Sequence, residues 1–513
     1  ICKLRLFLKL VAQIDSADKI EPLPDIDFNI RAGNTLVGFA TRAQVEQAIK
    51  FSQAGQMRML STEDVETMKK IDERAEIADR AFQQFRLQQT ELGGEVTAAD
   101  KENLRKRLRE LDDELNQYLA KQYGVTPPSP NRRGAGGEVA YTKWLSSHKP
   151  FHWFVEFYGI LNRGGFDVII GNPPYVEYSK VSKEYKIHDY TTESCGNLYA
   201  FIVERNETLI SKNGLSGMII PHSAFCTDRM EPLANLFLNH CNSWISTYSI
   251  RPAKLFVGVD QRLGIYVRRN SVDASMFCTR YYNWNEEFRP FLFANLQYAQ
   301  ISPIVYKNSF PKTGSHDSML VWNKINKLKS LAANLAGRSP LYFHNAPRYW
   351  IRAMTFIPYF WNEREGEQIS TQVKSLYLST KPDASVVAAV LNSSLFYWWF
   401  ILLSDCRHLN LREIQNFPLG LDSMLDGTKK RLTELTDKLM TDLKKNKYRK
   451  EAYYQATGKV IYDEFYPKYS KPIIDQIDRV LAQHYGFTDE ELDFIINYDI
   501  KYRMGRDGGE EEE

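Results

Sequence analysis

The sequence predicts an α/β protein, with a helical hairpin inserted before the main part of its sheet and an α+β region with C-terminal helices after it. Three observations carry that expectation. Phe166 to Ile170 is a continuous apolar run, the pattern of a strand covered on both faces. Leu198 to Ser211 can form a helix stopped by Asn213-Gly214, and LSGMIIP then gives a second apolar strand, the spacing of a right-handed βαβ unit in a parallel sheet. Between residues 68 and 119 apolar side chains recur at three- and four-residue steps, the period of a helix and not of a strand.

Taken in order, residues 1–40 contain a short amphipathic helix and then the strand-like DFNIRAGNTLVGF, Asp27 to Phe39. Met68, Ile71, Ala75, Ala78, Phe82 and Phe85 lie on one helix face, and Leu104, Leu108, Leu111, Leu115 and Leu119 on another. Gly93-Gly94 lies between them, which predicts an antiparallel hairpin. Ser61 with Asp64 resembles a capping box opening the first of these helices. The charged remainder reads as a solvated structural insertion. PPSPNRRGAGGE, 127–138, is a loop on composition. Residues 428–455, rich in Lys, Leu and Thr, read as a helix whose basic face suits a DNA backbone, although an ordinary solvated face accounts for most of those charges.

Composition bounds the function. A chain of 513 residues that is 43% hydrophobic can bury the cores of several domains. A net charge of +3 is too small to argue for nucleic acid by itself, so any basic surface is local. Six cysteines without a Cys-x-x-Cys pair suit a reducing cytoplasm and predict no metal site. The longest apolar run, Leu395 to Leu403, is far short of the roughly 20 residues that span a bilayer, and no membrane partner is expected. The opening ICKLRLFLKLVA lacks an initiator Met and a signal peptide's uninterrupted apolar core, which suggests a start inside a larger protein.

The strand at 166 runs into Asn172-Pro173-Pro174-Tyr175. In open α/β sheets ligands bind beyond the carboxyl ends of strands, where these residues belong. Asn offers an acceptor that does not titrate; a Pro-Pro pair stiffens the backbone and removes two N–H donors, so carbonyls are left to face a ligand. A tyrosine ring beside them supplies a stacking face. A planar heterocycle with an exocyclic amino group, adenine above all, meets every one of these demands. A plain strand-ending turn is the competing reading.

FDVIIGNPPY resembles the catalytic motif of the adenine-N6 DNA methyltransferases, and the likeness extends along most of the chain. That resemblance implies a Rossmann-like sheet, S-adenosylmethionine as cofactor and an adenine flipped out of double-stranded DNA. It implies that the Asn172 side-chain oxygen and the Pro173 carbonyl accept from the adenine amino group, and that Tyr175 stacks on the ring. NLYAFIVERNETLI from Asn197, NGLSGMIIP from Asn213 and KLFVGVDQRLGIYV from Lys254 resemble later motifs of the family. Phe256 then resembles the second aromatic of the target-base pocket, with a core residue as the even alternative. NIRAGNTL resembles the segment that contacts the cofactor's adenine, which assigns Asn34, where the family commonly has Asp, together with Pro174, to cofactor binding.

The last third is similar to the target-recognition region of fused restriction-modification enzymes of type IIG. Arg348, Arg352, Arg407 and His408, interleaved with aromatics, are the candidate DNA contacts. The resemblance divides the chain into a methyltransferase domain, which begins at residues 1–40 and continues as a catalytic portion at 146–300, around a helical insertion at 41–145. A target-recognition domain at 301–425 and a C-terminal helical region at 426–513 follow. The family's glycine-rich cofactor loop and ribose-binding acid precede the segment matched at Asn34, where only about 30 residues remain, and GAGGE at 134 follows a Pro-rich loop instead of a strand. The expectation is a C-terminal portion, with the sheet incomplete at its N-terminus and the cofactor loop, with or without a nuclease, in a preceding segment. The other functions the sequence allows are a DNA-binding specificity module without catalysis and a methyltransferase acting on RNA or protein.

Overall fold

The computed structural model describes residues 2–14, 16, 30–50, 59, 61–90, 98–128, 135–301, 308–455 and 457–504. It divides into two compact units, Ile1–Met218 and Ile219–Glu513.

The first unit opens with helix α1 (Cys2–Val11). The strand expected over 27–39 does not form in the described residues, 30–39: one isolated bridge, Asn34 to Pro150, is their only strand-like pairing. The chain curls instead. Asn34 Oδ1 accepts the Leu36 N–H at 3.2 Å, and Gly38 sits at φ 134°, where a Cβ would come within 2.2 Å of the Phe151 carbonyl oxygen. Backbone bonds from Asn34 to Lys149, Phe151 to Val37 and Phe154 to Phe39 hold this loop against residues 149–154. Buried His152 pins it from the other side: its Nδ1 accepts the Phe39 N–H at 3.1 Å, and its Nε2 lies 3.1 Å from Asn116 Oδ1. Burial pushes this imidazole down to about 3, so it is neutral.

Helices α2 (Arg42–Lys50), α3 (Thr62–Thr90) and α4 (Ala98–Gln122) follow. Met68, Ile71, Ala75 and Ala78 are buried against Leu104, Leu108, Leu111, Leu115 and Leu119, with Phe82 half-buried beside them. The Phe85 side chain and the Gly93-Gly94 link lie outside the described residues. The capping box forms: Ser61 N–H donates to Asp64 Oδ2 at 2.7 Å and Asp64 N–H to Ser61 Oγ at 3.2 Å. The hairpin is more than a solvated insertion, because its apolar stripe shares one core with Val37, Phe39, Trp144 and Phe154. Helix α5 (Ala135–His148) begins within the segment expected to be a loop, so Ala135 to Glu138 form a helical first turn; residues 129–134 lie outside the described ones.

Strand β1 (Phe166–Gly171), helix α6 (Leu198–Leu209) and strand β2 (Ile210–Pro221) make the expected βαβ unit, with β1 and β2 parallel. Two details differ. Strand β2 begins at Ile210, directly after the helix. The register jumps from Phe166–Ile210 to Val168–Leu215, so Asn213-Gly214 fall in a bulge where a Gly214 Cβ would meet the Phe166 oxygen at 2.7 Å. Nor is β1 covered on both faces among the described residues: Val168 is 60% exposed and Ile170 80%, and β1 lies at the end of its sheet.

The second unit has a mixed sheet. Strand β3 (Cys241–Tyr248) pairs antiparallel with β4 (Leu263–Asn270) and parallel with β5 (Ser275–Tyr282), which pairs antiparallel with β6 (Ala299–Gln300). A second sheet places β7 (Ser339–His344) between β8 (Ala353–Met354) and β11 (Val373–Leu378). A third runs in the order β10 (Gly366–Glu367), β9 (Phe360–Asn362), β13 (Gly458–Glu464), β12 (Tyr448–Tyr454). Helices α7 (Lys381–Asn392) and α8 (Ser394–Leu403) fill the core, α8 buried along its whole length. Asp478 caps α8, accepting from Ser394 N–H at 2.9 Å. Among the described residues no single helix is long and apolar enough to cross a membrane. The pair α7 and α8 passes by length and composition but bends by 68° between its members. The helix expected over 428–455 ends early: α9 spans Asp426–Lys445, and Tyr448–Tyr454 is a strand, as its tyrosines favour.

Leu115→Ala should cost about 2–5 kcal/mol, since Leu115 is fully buried where hairpin and loop share a core. Ser61→Ala should cost about 1 kcal/mol through the lost cap. Urea denaturation of both variants checks these, and a Leu115→Ala loss confined to a few tenths would mean that the hairpin core is not packed as described.

Candidate functional site

Asn172 to Tyr175 leave the carboxyl end of β1. Asn172 and Pro174 are exposed, Pro173 is buried and Tyr175 is half-buried. The Tyr175 hydroxyl donates to Asn172 Oδ1 at 2.6 Å, so the ring and the amide form one assembly. Burial pushes the phenol up to about 12, which keeps it a donor at any ordinary pH. Tyr199 on α6 meets the Tyr175 ring edge-on, with centroids 6.5 Å apart. The motif alone does not single out Tyr199; its place just past Asn197, in the segment that resembles a later motif, is the available sign.

Helix α6 organises what surrounds the motif. Its first N–H, on Leu198, donates to the Val176 carbonyl, Asn197 bridges Glu177, and Asn197 Nδ2 donates to Glu177 Oε1 at 3.3 Å. Further along the helix, buried Arg205 donates to the carbonyls of Leu36 at 3.3 Å and Gly38 at 3.4 Å, and its guanidinium lies 5.2 Å from the Tyr190 ring centroid. The Tyr190 hydroxyl donates to the same Leu36 carbonyl at 3.1 Å. Leu36, Ile187, Leu198 and Phe201 form one buried cluster with Val176 and Tyr178 packed on it. The loop that carries Asn34 and the segment that follows Tyr175 are therefore fastened to a single helix. Asn34 itself is half-buried, with its side-chain oxygen engaged by Leu36.

The remaining candidates lie in the second unit. Phe256 is not a core residue: it is exposed, beside an almost fully exposed Val257, in the loop between β3 and β4. Arg289 holds that loop by donating to the carbonyls of Leu255 and Lys254 while stacking on Trp284. Arg348 is exposed between β7 and β8. Arg352, in the same loop, is half-buried near the Phe465 ring, and burial pushes its guanidinium down to about 10. Arg407 is exposed and His408 half-buried, and the N–H groups of both donate to Asp405 Oδ1. The Leu409 N–H donates to the Asn345 carbonyl at 2.8 Å, which lays the loop of Arg407 and His408 along that of Arg348 and Arg352.

Residues 1–256 match the family described as Eco57I restriction-modification methylase. A protein of Methanocaldococcus jannaschii named as a type II restriction enzyme and methyltransferase is 28% identical over 250 residues, covering 44% of this chain and 21% of that protein. The match thus spans about a fifth of the length of that relative. Among solved structures, the type IIL restriction-modification enzyme MmeI in complex with DNA is 12% identical with a TM-score of 0.35, covering 77% of this chain and 63% of that one. A nuclease-deletion mutant of the type ISP enzyme LlaGI with a DNA substrate mimic is 10% identical with a TM-score of 0.31, covering 78% and 62%.

Arg205→Met keeps much of the side chain's length but leaves the Leu36 carbonyl with one donor fewer and the Gly38 carbonyl without this one. A loss of roughly 1–3 kcal/mol is expected. Hydrogen exchange read by mass spectrometry should show the added opening concentrated in residues 34–40; uniform acceleration across the unit would contradict the clamp.

Proposed function

We propose that this chain, whose residues 1–256 belong to the Eco57I restriction-modification methylase family, transfers a methyl group from S-adenosylmethionine to the N6 amino group of an adenine flipped from double-stranded DNA. It would do so as the C-terminal portion of a type IIG restriction-modification enzyme. The observation that carries this is the assembly at the end of β1, where an exposed asparagine, a proline-fixed backbone and a half-buried ring stand together.

In this reading Asn172 Oδ1 and the Pro173 carbonyl accept from the two N–H bonds of the amino group. The nitrogen lone pair is thereby withdrawn from ring conjugation and directed at the methyl group. No strong general base is needed; placement carries most of the acceleration. Tyr175 offers its face to the adenine, backed edge-on by Tyr199, and its hydroxyl fixes the orientation of the Asn172 amide. An amide oxygen has two lone pairs, so it can keep the tyrosine while accepting from the base.

S-adenosylmethionine, when bound, supplies the electrophilic methyl group. Asn34 and Pro174 are the residues assigned to it, Asn34 with one lone pair already committed to Leu36. Among the described residues no Gly-x-Gly turn follows a strand, so the ribose and methionine ends are assigned to a preceding segment of the enzyme. Arg348, Arg352, Arg407 and His408 remain the proposed readers of the DNA.

Asn172→Ala in the full-length enzyme should lower methylation by about a hundredfold or more with DNA affinity nearly unchanged. Tyr175→Phe should lose roughly tenfold or less, through the freed amide, and Tyr175→Ala far more. Mapping modified bases on plasmid DNA by single-molecule sequencing reads both; N6-methyladenine at wild-type levels in Asn172→Ala would refute the assignment. Calorimetric titration should show S-adenosylmethionine binding only when the chain is extended toward the N-terminus to a strand ending in a glycine-rich loop. Micromolar affinity of these 513 residues alone would place the cofactor site elsewhere.

A further inference from the structure

In the second unit, β9, β10, β12, β13 and the last turn of α9 line a cleft of about 650 Å³. None of the individually named site residues lies in it, although three of its cations fall in the 428–455 stretch whose basic charge suits a DNA backbone. Its wall combines aromatic rings, Phe356 and Tyr359, with the cations Lys444, Lys447 and Arg449. Asp463, buried beneath them, accepts from Arg449 Nε at 2.7 Å and from Lys447 Nζ at 2.8 Å. The Arg449 guanidinium lies 3.7 Å from the Tyr359 ring centroid, and the Lys444 ammonium 4.8 Å from that of Phe356.

Two features distinguish this wall from an ordinary charged surface. An exposed arginine is normally free to rotate, but Arg449 is held by a buried carboxylate at one edge and a ring on one face, so its ordering cost is met before any ligand arrives. The charge is also unbalanced. Asp463 faces two cations, Lys444 adds a third, and Glu367 is the other acid of the lining. Positive charge beside flat rings is the chemistry of a nucleotide, with a phosphate for the cations and a base or sugar face for the aromatics. On the face of β12 that carries Arg449, Tyr453 is exposed past the cleft beside the Glu451–Lys459 ion pair, a further ring that a chain of nucleotides reaches and a single free one does not.

We propose that this cleft seats a nucleotide of the DNA strand, its phosphate on Lys444, Lys447 and Arg449 and its flat face against Tyr359 and Phe356. The proposal rests on DNA being the substrate and adds where the second unit grips it. The test is the affinity of the 513-residue chain for a short fluorescent DNA duplex across a salt series. Lys444→Glu and Tyr359→Ala should each weaken binding roughly tenfold, and Lys444→Ala should lower the salt slope by about one. Arg479→Glu, an exposed charge of the second unit outside both the cleft and the 428–455 stretch, should change affinity by less than about twofold. Lys444 is an exposed surface lysine, so its variants keep the test valid if Tyr359→Ala fails to fold. Equal effects of Lys444→Glu and Arg479→Glu would overturn the cleft while leaving the methyltransferase reading intact. A failure of methyl transfer would do the reverse, because the readout is binding. Binding of free deoxyadenosine monophosphate that the cleft variants abolish, with duplex affinity unchanged, would give the cleft to a free nucleotide and overturn the DNA assignment.

Discussion

The buried guanidinium of Arg205 is the constraint on which the first unit's site depends. A loop cannot ladder its own carbonyls, and with Leu36 buried and Gly38 half-buried beside it, water serves theirs poorly. Arg205 satisfies both from a helix whose other end donates to the Val176 carbonyl just after the motif. One rigid element thus fixes two irregular segments distant in sequence, and the geometry at Asn172 inherits the rigidity of α6. Neutral His152 serves the same loop from the hairpin side, which explains why the hairpin's core and the loop's are one.

Much of this arrangement is legible in the sequence, and the divisions are physical. The βαβ unit, the hairpin faces and the capping box are written in local periodicity and local bonds, and they stand where the residues place them. The loop at 30–39 passes for a strand because of the alternation in NIRAGNTLVGF. What decides it is long-range: residues 149–154 take its backbone groups, and Gly38 adopts a dihedral that a strand does not use. GAGGE reads as a loop on composition, yet glycines are tolerated in the first turn of α5, whose later residues pack into the core. Asn172 and Tyr175 are legible as a motif, but the bond between them is not, since nothing in the order of residues says that a hydroxyl three positions on will reach the amide.

In the second unit the sequence draws attention to arginines near aromatics, and the fold redistributes them. Arg352 is drawn inward toward Phe465, and Arg348 and Arg407 stay outside on loops that lie side by side. The more organised cationic surface belongs to Lys444, Lys447 and Arg449, which straddle the boundary between α9 and β12. Reading that stretch as one long helix hides it. Helical spacing would send Lys447 and Arg449 to different sides, whereas a strand ending at a shared carboxylate brings them together.

Among the described residues strand β1 lies at the end of its sheet, held by β2 alone, and its Val168 and Ile170 are exposed. The loop that presents Asn172 is therefore mounted on a support braced from one side. In terms of local stability, such a strand opens at a lower free energy than a central one, because only one ladder of backbone bonds must break. Any element pairing along the open edge would double that bracing. The order of the candidate site is thus coupled to what occupies the free edge of β1.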